Sequence, residues 1–245
     1  MRVKISFTRD NTSGNSIPLH HQKLIYDSLG TVALEVGGDK NYLNFSSLKG
    51  TSKIQNGFMK FLSSKLTLVI SSSDDGLIEK IVGRIFEKSF FPVGRMNLLP
   101  KFKEVIPDPE FQTKMRWLCI SPLIIFDPKK DFERSTEQVD PASHRFSDLL
   151  FNITLDTMEK SGFTEEKVNS YAEFDAQPDQ DYMQKIAAAN KKFARVYRNS
   201  EGGNMIGYLI PFTLHAHPDV QKFVWQRGLG ALTSEGYGMV DVVKA

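Results

Sequence analysis

The chain has one cysteine, Cys119. That excludes a disulfide framework and any cysteine-rich metal site. Cys119 lies in the apolar run Trp117 to Phe126, which marks it as a small buried hydrophobe. No apolar stretch approaches the ~20 residues of a membrane span. The N-terminus opens on a polar–apolar alternation and not on a signal peptide. The expectation is a soluble cytoplasmic protein that does not engage a membrane. The common nucleotide signatures are missing too. A P-loop needs Gly-Lys-Ser/Thr opening a helix, and no such tripeptide occurs. No strand carries the Lys/Arg-Gly-Phe/Tyr-Gly/Ala-Phe-Val-x-Phe/Tyr pattern of an RNA-recognition sheet. No carboxylate, histidine or cysteine cluster has the spacing of a two-metal nuclease, so neither metal nor cofactor is expected.

What is present suits packed cores. Hydrophobic residues make up 40% of 245 residues, and phenylalanine occurs 18 times. That length serves one large domain or two of ordinary size. The net charge of +2 is uneven, +4 over residues 1–112 and −2 over the remainder. This allows a basic surface on the first half without showing one.

Arg2 to Thr8 alternates strictly, so Val3, Ile5 and Phe7 share the buried face of a strand. A helix is expected from Leu19 to Leu29, closed by Gly30. Residues 31–50 read as irregular, with a turn at Gly37-Gly38 and a short strand near Leu43, Phe45 and Leu48. Phe58 to Ile70 reads as a hairpin-like pair of strands. Ser73-Asp74 caps a helix with Leu77, Ile78, Ile81, Val82, Ile85 and Phe86 at helical spacing. Phe90 to Ile106 returns as strand. The order β-α-β-β-α-β is that of a ferredoxin-like unit. Ile106-Pro-Asp-Pro109 is the linker candidate, which divides the chain into domains at 1–110 and 111–245.

The second half repeats the order less cleanly. Met115 to Phe126 is a strand, 128–141 a polar loop, and Ser143 to Lys160 a helix facing its core with Phe146, Leu149, Leu150, Ile153 and Leu155. Lys192 to Tyr197 and Met205 to Leu214 pair around a turn at 200–203. His217-Pro218 opens a helix with proline in first position.

Near the C-terminus stands Gly228-Leu-Gly-Ala-Leu-Thr-Ser-Glu-Gly-Tyr-Gly238. A helix precedes it and a strand follows, the reverse of a dinucleotide fingerprint. Glycine tolerates positive φ and close backbone approach. Consecutive exposed amides in such a loop can form an anion-binding nest. With Arg227, Thr233 and Ser234 beside Gly228, Gly230, Gly236 and Gly238, the expectation is contact with a nucleic-acid backbone. A helix C-cap with a glycine-rich turn is the plainer alternative.

Gly-Leu-Gly-x5-Gly-Tyr-Gly-Met-Val followed by a short strand resembles the signature loop of the CRISPR repeat-processing endoribonucleases of the RAMP superfamily. Ile17-Pro-Leu-His-His with Leu24-Ile-Tyr26, Asn44-Phe-Ser-Ser-Leu48 and Ile70-Ser-Ser-Ser-Asp74 agree with it. The resemblance implies an α+β fold of tandem ferredoxin-like (RRM-like) domains. It also implies metal-independent cleavage of precursor CRISPR RNA by 2′-hydroxyl attack, and as partners repeat RNA and effector-complex subunits. The protein itself is expected to be a monomer or homodimer. In that family a tyrosine on the first helix, a histidine soon after it and a lysine form the site. Tyr26 matches the tyrosine and Lys40 the lysine. The histidine is missing, and Leu34 occupies its place. Of five histidines, His21 falls on the apolar face of the first helix and reads as a core residue. His215 and His217 read as a strand end and a helix cap. Either His20, at the edge of the apolar face, substitutes as the base, or Tyr26 and lysines act without a histidine, or this member binds RNA with little cleavage. The alternatives are a non-cleaving RNA-binding subunit, or a phosphate-ligand enzyme unrelated to RNA.

Overall fold

The computed structural model describes residues 1–126, 139–171, 173–198 and 203–243. Most of the expected 128–141 loop and of the 200–203 turn lies outside them. The chain divides into two compact units, one of Met1–Asp108 with Ser234–Gly236, the other of Pro109–Thr233 with Tyr237–Ala245.

In the first unit, β1 (Arg2–Arg9) lies between β6 (Lys65–Ser71) and β8 (Met96–Ile106), both antiparallel to it. β3 (Asn44–Phe45) adds beyond β6, and β7 (Phe91–Val93) beyond β8. Helix α1 (Gln22–Glu35) follows β1, and α2 (Asp75–Glu87) follows β6. The strands outside β7 give the chain order β-α-β-β-α-β and the ferredoxin-like sheet order β3-β6-β1-β8. The expected alternation in β1 holds: Val3, Ile5 and Phe7 are buried at 2% exposure or less. They share one core with Ile25, Leu29 and Val32 of α1 and Leu77, Ile78, Ile81, Val82 and Ile85 of α2. Asp74 caps α2 through its carboxylate, which accepts from the Leu77 amide at 3.0 Å.

Two expectations for this unit need correction. Helix α1 starts at Gln22 and runs on to Glu35, and Gly30 sits buried inside it. The turn comes at Gly37, whose φ is +68°. Phe58 to Ile70 is not a hairpin. β5 (Phe58–Phe61) pairs with β4 (Ser52–Gln55) and β2 (Ser16–Pro18) in a separate three-stranded sheet. The turn between β4 and β5 is Asn56-Gly57 with φ of +51° and +76°, and Asn-Gly is the dipeptide such a turn favours.

The second unit repeats the topology. Its sheet order is β11 (Phe174–Pro178), β14 (Pro211–Ala216), β9 (Lys114–Cys119), β15 (Val240–Val242). Helices α3 (His144–Lys160) and α6 (Pro218–Arg227) occupy the two crossover positions. Two shorter helices intervene, α4 (Glu165–Asn169) and α5 (Gln180–Ala188). A second sheet joins β10 (Leu123–Ile124), β13 (Asn204–Tyr208) and β12 (Ala194–Arg198). The expected strand from Met115 to Phe126 is therefore two, in different sheets. On α3 the inward face runs through Thr154 and Met158, and Leu155 is only half-buried. Buried Trp117 stacks at a tilt on Trp225, 6.0 Å between centroids, and its indole N–H donates to Gln221 at 2.8 Å. The chain as a whole is α+β with tandem ferredoxin-like folds. No helix among the described residues is long and apolar enough to cross a membrane.

Candidate active site and RNA interface

Tyr26 stands on α1, half-buried against the core of the first unit. Lys40 follows the Gly37-Gly38 turn and begins a short 3-10 turn, Lys40–Tyr42, capped by the Asp39 carboxylate on the Asn41 amide at 2.9 Å. The chain thereby doubles back on α1. Lys40 Nζ comes to 4.0 Å from the centroid of the Tyr26 ring. The aliphatic stem of Lys40 crosses α1 at Gly30, where an added Cβ would lie 3.1 Å from Lys40 Cδ. A primary ammonium and a phenol thus meet at one place on the first helix.

The two adjacent histidines differ. His21 is 1% exposed, its Nε2 accepts from the Leu48 amide at 3.0 Å and its Nδ1 donates to the Leu19 carbonyl at 3.2 Å. Burial pushes its pKa down to about 4. With both ring nitrogens engaged it is a neutral core histidine, as its place on the helical wheel suggested. His20 is half-buried and precedes the helix cap. Leu34 is 79% exposed near the end of α1. His217 caps α6, its Nδ1 accepting from the Asp219 amide at 3.1 Å. Asp219 also receives the Tyr171 hydroxyl at 2.9 Å and Lys167 Nζ at 3.1 Å, which clamps α4 to α6. Burial pushes the Cys119 thiol up to about 12, so it is no nucleophile. Among the described residues no group of three or more His, Cys, Asp or Glu could hold a metal ion.

The glycine loop is packed, not open. Gly228, Gly230, Gly236 and Gly238 all have positive φ and all are buried. The Leu229 amide donates to Gly238 O at 2.8 Å, Ala231 to Ile124 O at 2.9 Å, Gly238 to Pro122 O at 2.7 Å and Met239 to Ser121 Oγ at 2.8 Å. The amides of Leu229, Ala231 and Gly238, which the anion-nest expectation would need, are therefore spent on the protein. A Cβ on Gly230 would meet Ile124 O at 2.5 Å, and one on Gly238 would strike Leu229 O. Within the first unit, a Cβ on Gly236 would enter the ring of Phe45. Arg227 and Thr233 are buried at 7% and 8% exposure, and Ser234 is half-exposed.

Two ferredoxin-like units in tandem, with a glycine-rich loop before the last strand, define a RAMP-type protein. The model for "CRISPR associated protein Cas6, C-terminal" matches residues 106–242, and the chain belongs to that family. Solved structures agree over the whole length. A CRISPR associated protein Cas6 superposes with a TM-score of 0.77 at 21% identity, covering 100% of this chain and 99% of its own. The product of a Cas6-related gene from Pyrococcus furiosus gives 0.77 at 20%, covering 100% and 98%. A RAMP protein binding different RNA substrates gives 0.74 at 18%, covering 100% of both. No curated protein matches the chain.

Proposed function

We propose that this protein binds CRISPR repeat RNA and cuts it without a metal ion, at a site formed by Tyr26 and Lys40. The observation that carries the reading is the 4.0 Å approach of Lys40 Nζ to the Tyr26 ring. Cleavage by transesterification needs a base for the 2′-hydroxyl proton, an acid for the 5′-oxygen, and a cation for the phosphorane. The 2′-oxygen attacks the adjacent phosphorus, the bond from phosphorus to the 5′-oxygen breaks, and the 5′ fragment ends in a 2′,3′-cyclic phosphate. Lys40 supplies the cation. The phenol of Tyr26 donates a proton to the leaving oxygen or orients the phosphate, since its O–H is a hydrogen-bond donor placed beside the ammonium. His20 is the one histidine of this segment left for the base, because His21 is committed to the core. RNA contact by the loop from Arg227 to Gly238 then falls chiefly to Ser234 at its surface.

A second reading, RNA binding without cleavage, draws on Leu34. Leu34, which the resemblance puts in the place of the family histidine, is an apolar side chain 79% exposed. A denaturing gel of radiolabelled repeat RNA, run with magnesium and with excess chelator, separates the two. Cleavage in both lanes with a cyclic-phosphate product supports the proposal. An uncut RNA that the protein nevertheless shifts in a native gel supports the second reading.

A further inference from the structure

The small sheet of β2, β5 and β4 is not used by the site described above. Its inward face is apolar: Ile17 and Phe61 are buried, and Met59 packs against the core. Strand alternation puts Ser16, Pro18, Lys53, Gln55, Phe58 and Lys60 on the other face. Phe58 is 50% exposed there, and Lys53, Gln55 and Lys60 are exposed around it. Lys53 and Lys60 are direct cross-strand partners. Like charges in that register destabilise a sheet, and among the described residues neither lysine forms an ion pair. The surrounding chain offers no relief. From Asp39 to Asp74 no acidic residue intervenes, while five lysines do, Lys40, Lys49, Lys53, Lys60 and Lys65. The hairpin tip is tied to the approach of α1, the Leu19 amide donating to Gly57 O at 2.9 Å beside His20.

An exposed aromatic ring beside a facing pair of cations that form no ion pair, in a stretch without acids, is complementary to a polyanion that carries flat rings. We propose that this face is a second RNA site, at which Phe58 stacks a base and Lys53 and Lys60 hold flanking phosphates of a single-stranded segment leaving the Tyr26–Lys40 site. It rests on the RNA-binding reading above and adds to it. Stacking platforms of this kind read no sequence, so the segment is defined by being single-stranded.

The test is fluorescence anisotropy with repeat RNAs shortened stepwise from each end. For the wild-type protein, affinity should drop in one step at the truncation that empties the platform. Phe58→Ala should lower affinity for the full repeat by about tenfold and abolish that step. Phe58→Trp should keep both. The Lys53→Gln, Lys60→Gln double variant should reduce the slope of log K against log salt by about 1.4. Single-turnover cleavage at saturating RNA should stay unchanged in all of them. Photocrosslinking of 5-iodouridine RNA to the wild-type protein should label the peptide containing Phe58, which tests the contact without any substitution. Wild-type affinity and an intact step in Phe58→Ala, or no crosslink at Phe58, overturns the platform while leaving RNA binding in place. Loss of self-association in Phe58→Ala with RNA affinity unchanged overturns it in favour of a protein partner. A wild-type protein that binds no repeat RNA overturns both readings.

Discussion

Gly30 and Lys40 are fitted to each other. Gly30 lies one turn beyond Tyr26 on α1, buried in mid-helix. The place of its absent Cβ is where the Lys40 stem passes, 3.1 Å from Cδ and 3.7 Å from Nζ. A glycine in a helix interior costs ~1 kcal/mol relative to alanine. A lysine over an aromatic ring returns only ~0.5–1 kcal/mol at an exposed position. Stability alone gives this pair no clear net gain, and the placement of an ammonium beside a phenol is what the arrangement does achieve.

Gly30→Ala should therefore separate stability from activity. The helix gains propensity, and Lys40, the far end of a flexible side chain, is pushed off the Tyr26 ring. We expect an unchanged or higher melting temperature together with slower single-turnover cleavage. A rate equal to wild type would mean that the contact between Lys40 and Tyr26 is incidental.

Tyr26→Phe and Lys40→Ala should each slow cleavage by at least ~10-fold, about 1.4 kcal/mol of barrier. Repeat-RNA affinity should change much less. His20→Ala belongs in the same series, read as a pH–rate profile. A similar loss with a shifted acidic limb makes His20 the base, whereas no loss means that catalysis proceeds without histidine. If all three variants cleave at the wild-type rate, the active site lies elsewhere in the chain.

The glycine loop yields a stability prediction. Gly238→Ala would set a side chain at φ +66° against Leu229 O, and Gly236→Ala one at φ +84° against the Phe45 ring. Left-handed backbone costs ~1–2 kcal/mol for a residue with a Cβ, and overpacking adds ~1–3 kcal/mol. Thermal melts should fall by several degrees or more for both. Gly57→Ala is the control, since at φ +76° its Cβ meets nothing within 4 Å. It should show the backbone cost alone. Equal melting temperatures for Gly238→Ala and Gly57→Ala would mean that the loop opens freely.

Local signals in the sequence carried far in some places and failed in others, for identifiable reasons. Helix α2 was legible to its cap, because Ser73-Asp74 and a clean apolar period act within one segment. In helix α1 Gly30 looks like a terminator, and what explains it, Lys40, lies ten positions on and returns only once the chain has turned. Asn56-Gly57 marks the hairpin of β4 and β5 locally, but the longer apolar run after it carries the stronger strand signal. Strand β11, Phe174-Asp-Ala-Gln-Pro178, alternates but is only five residues long and ends on a proline, and it is held by pairing with β14. Of the residues singled out for chemistry, Tyr26 and Lys40 come together, and His21 falls in the core. The glycine motif was plain as a motif, but its role was not. The carbonyls its amides meet, at Pro122 and Ile124, are over a hundred residues away in sequence.

His21 makes stability depend on pH in a defined window. Its folded-state pKa is pushed down to about 4 by burial, against an ordinary value of about 6.5. Between these values the unfolded chain binds a proton that the folded chain does not. Stability therefore rises with pH across the window. The contribution is fully present above pH ~6.5 and is lost as pH falls toward 4. Its ceiling is on the order of 3 kcal/mol, from the size of the shift. Protonation would also place a hydrogen on Nε2, which now accepts from the Leu48 amide, so acid breaks the link between the start of α1 and the segment after β3. Urea denaturation at pH 7.0 and pH 5.0 should show the wild type losing stability at the lower pH. His21→Gln should be less stable at pH 7.0 but should lose less between the two. A His21→Gln variant with the same pH slope as wild type would assign the acid sensitivity to other groups.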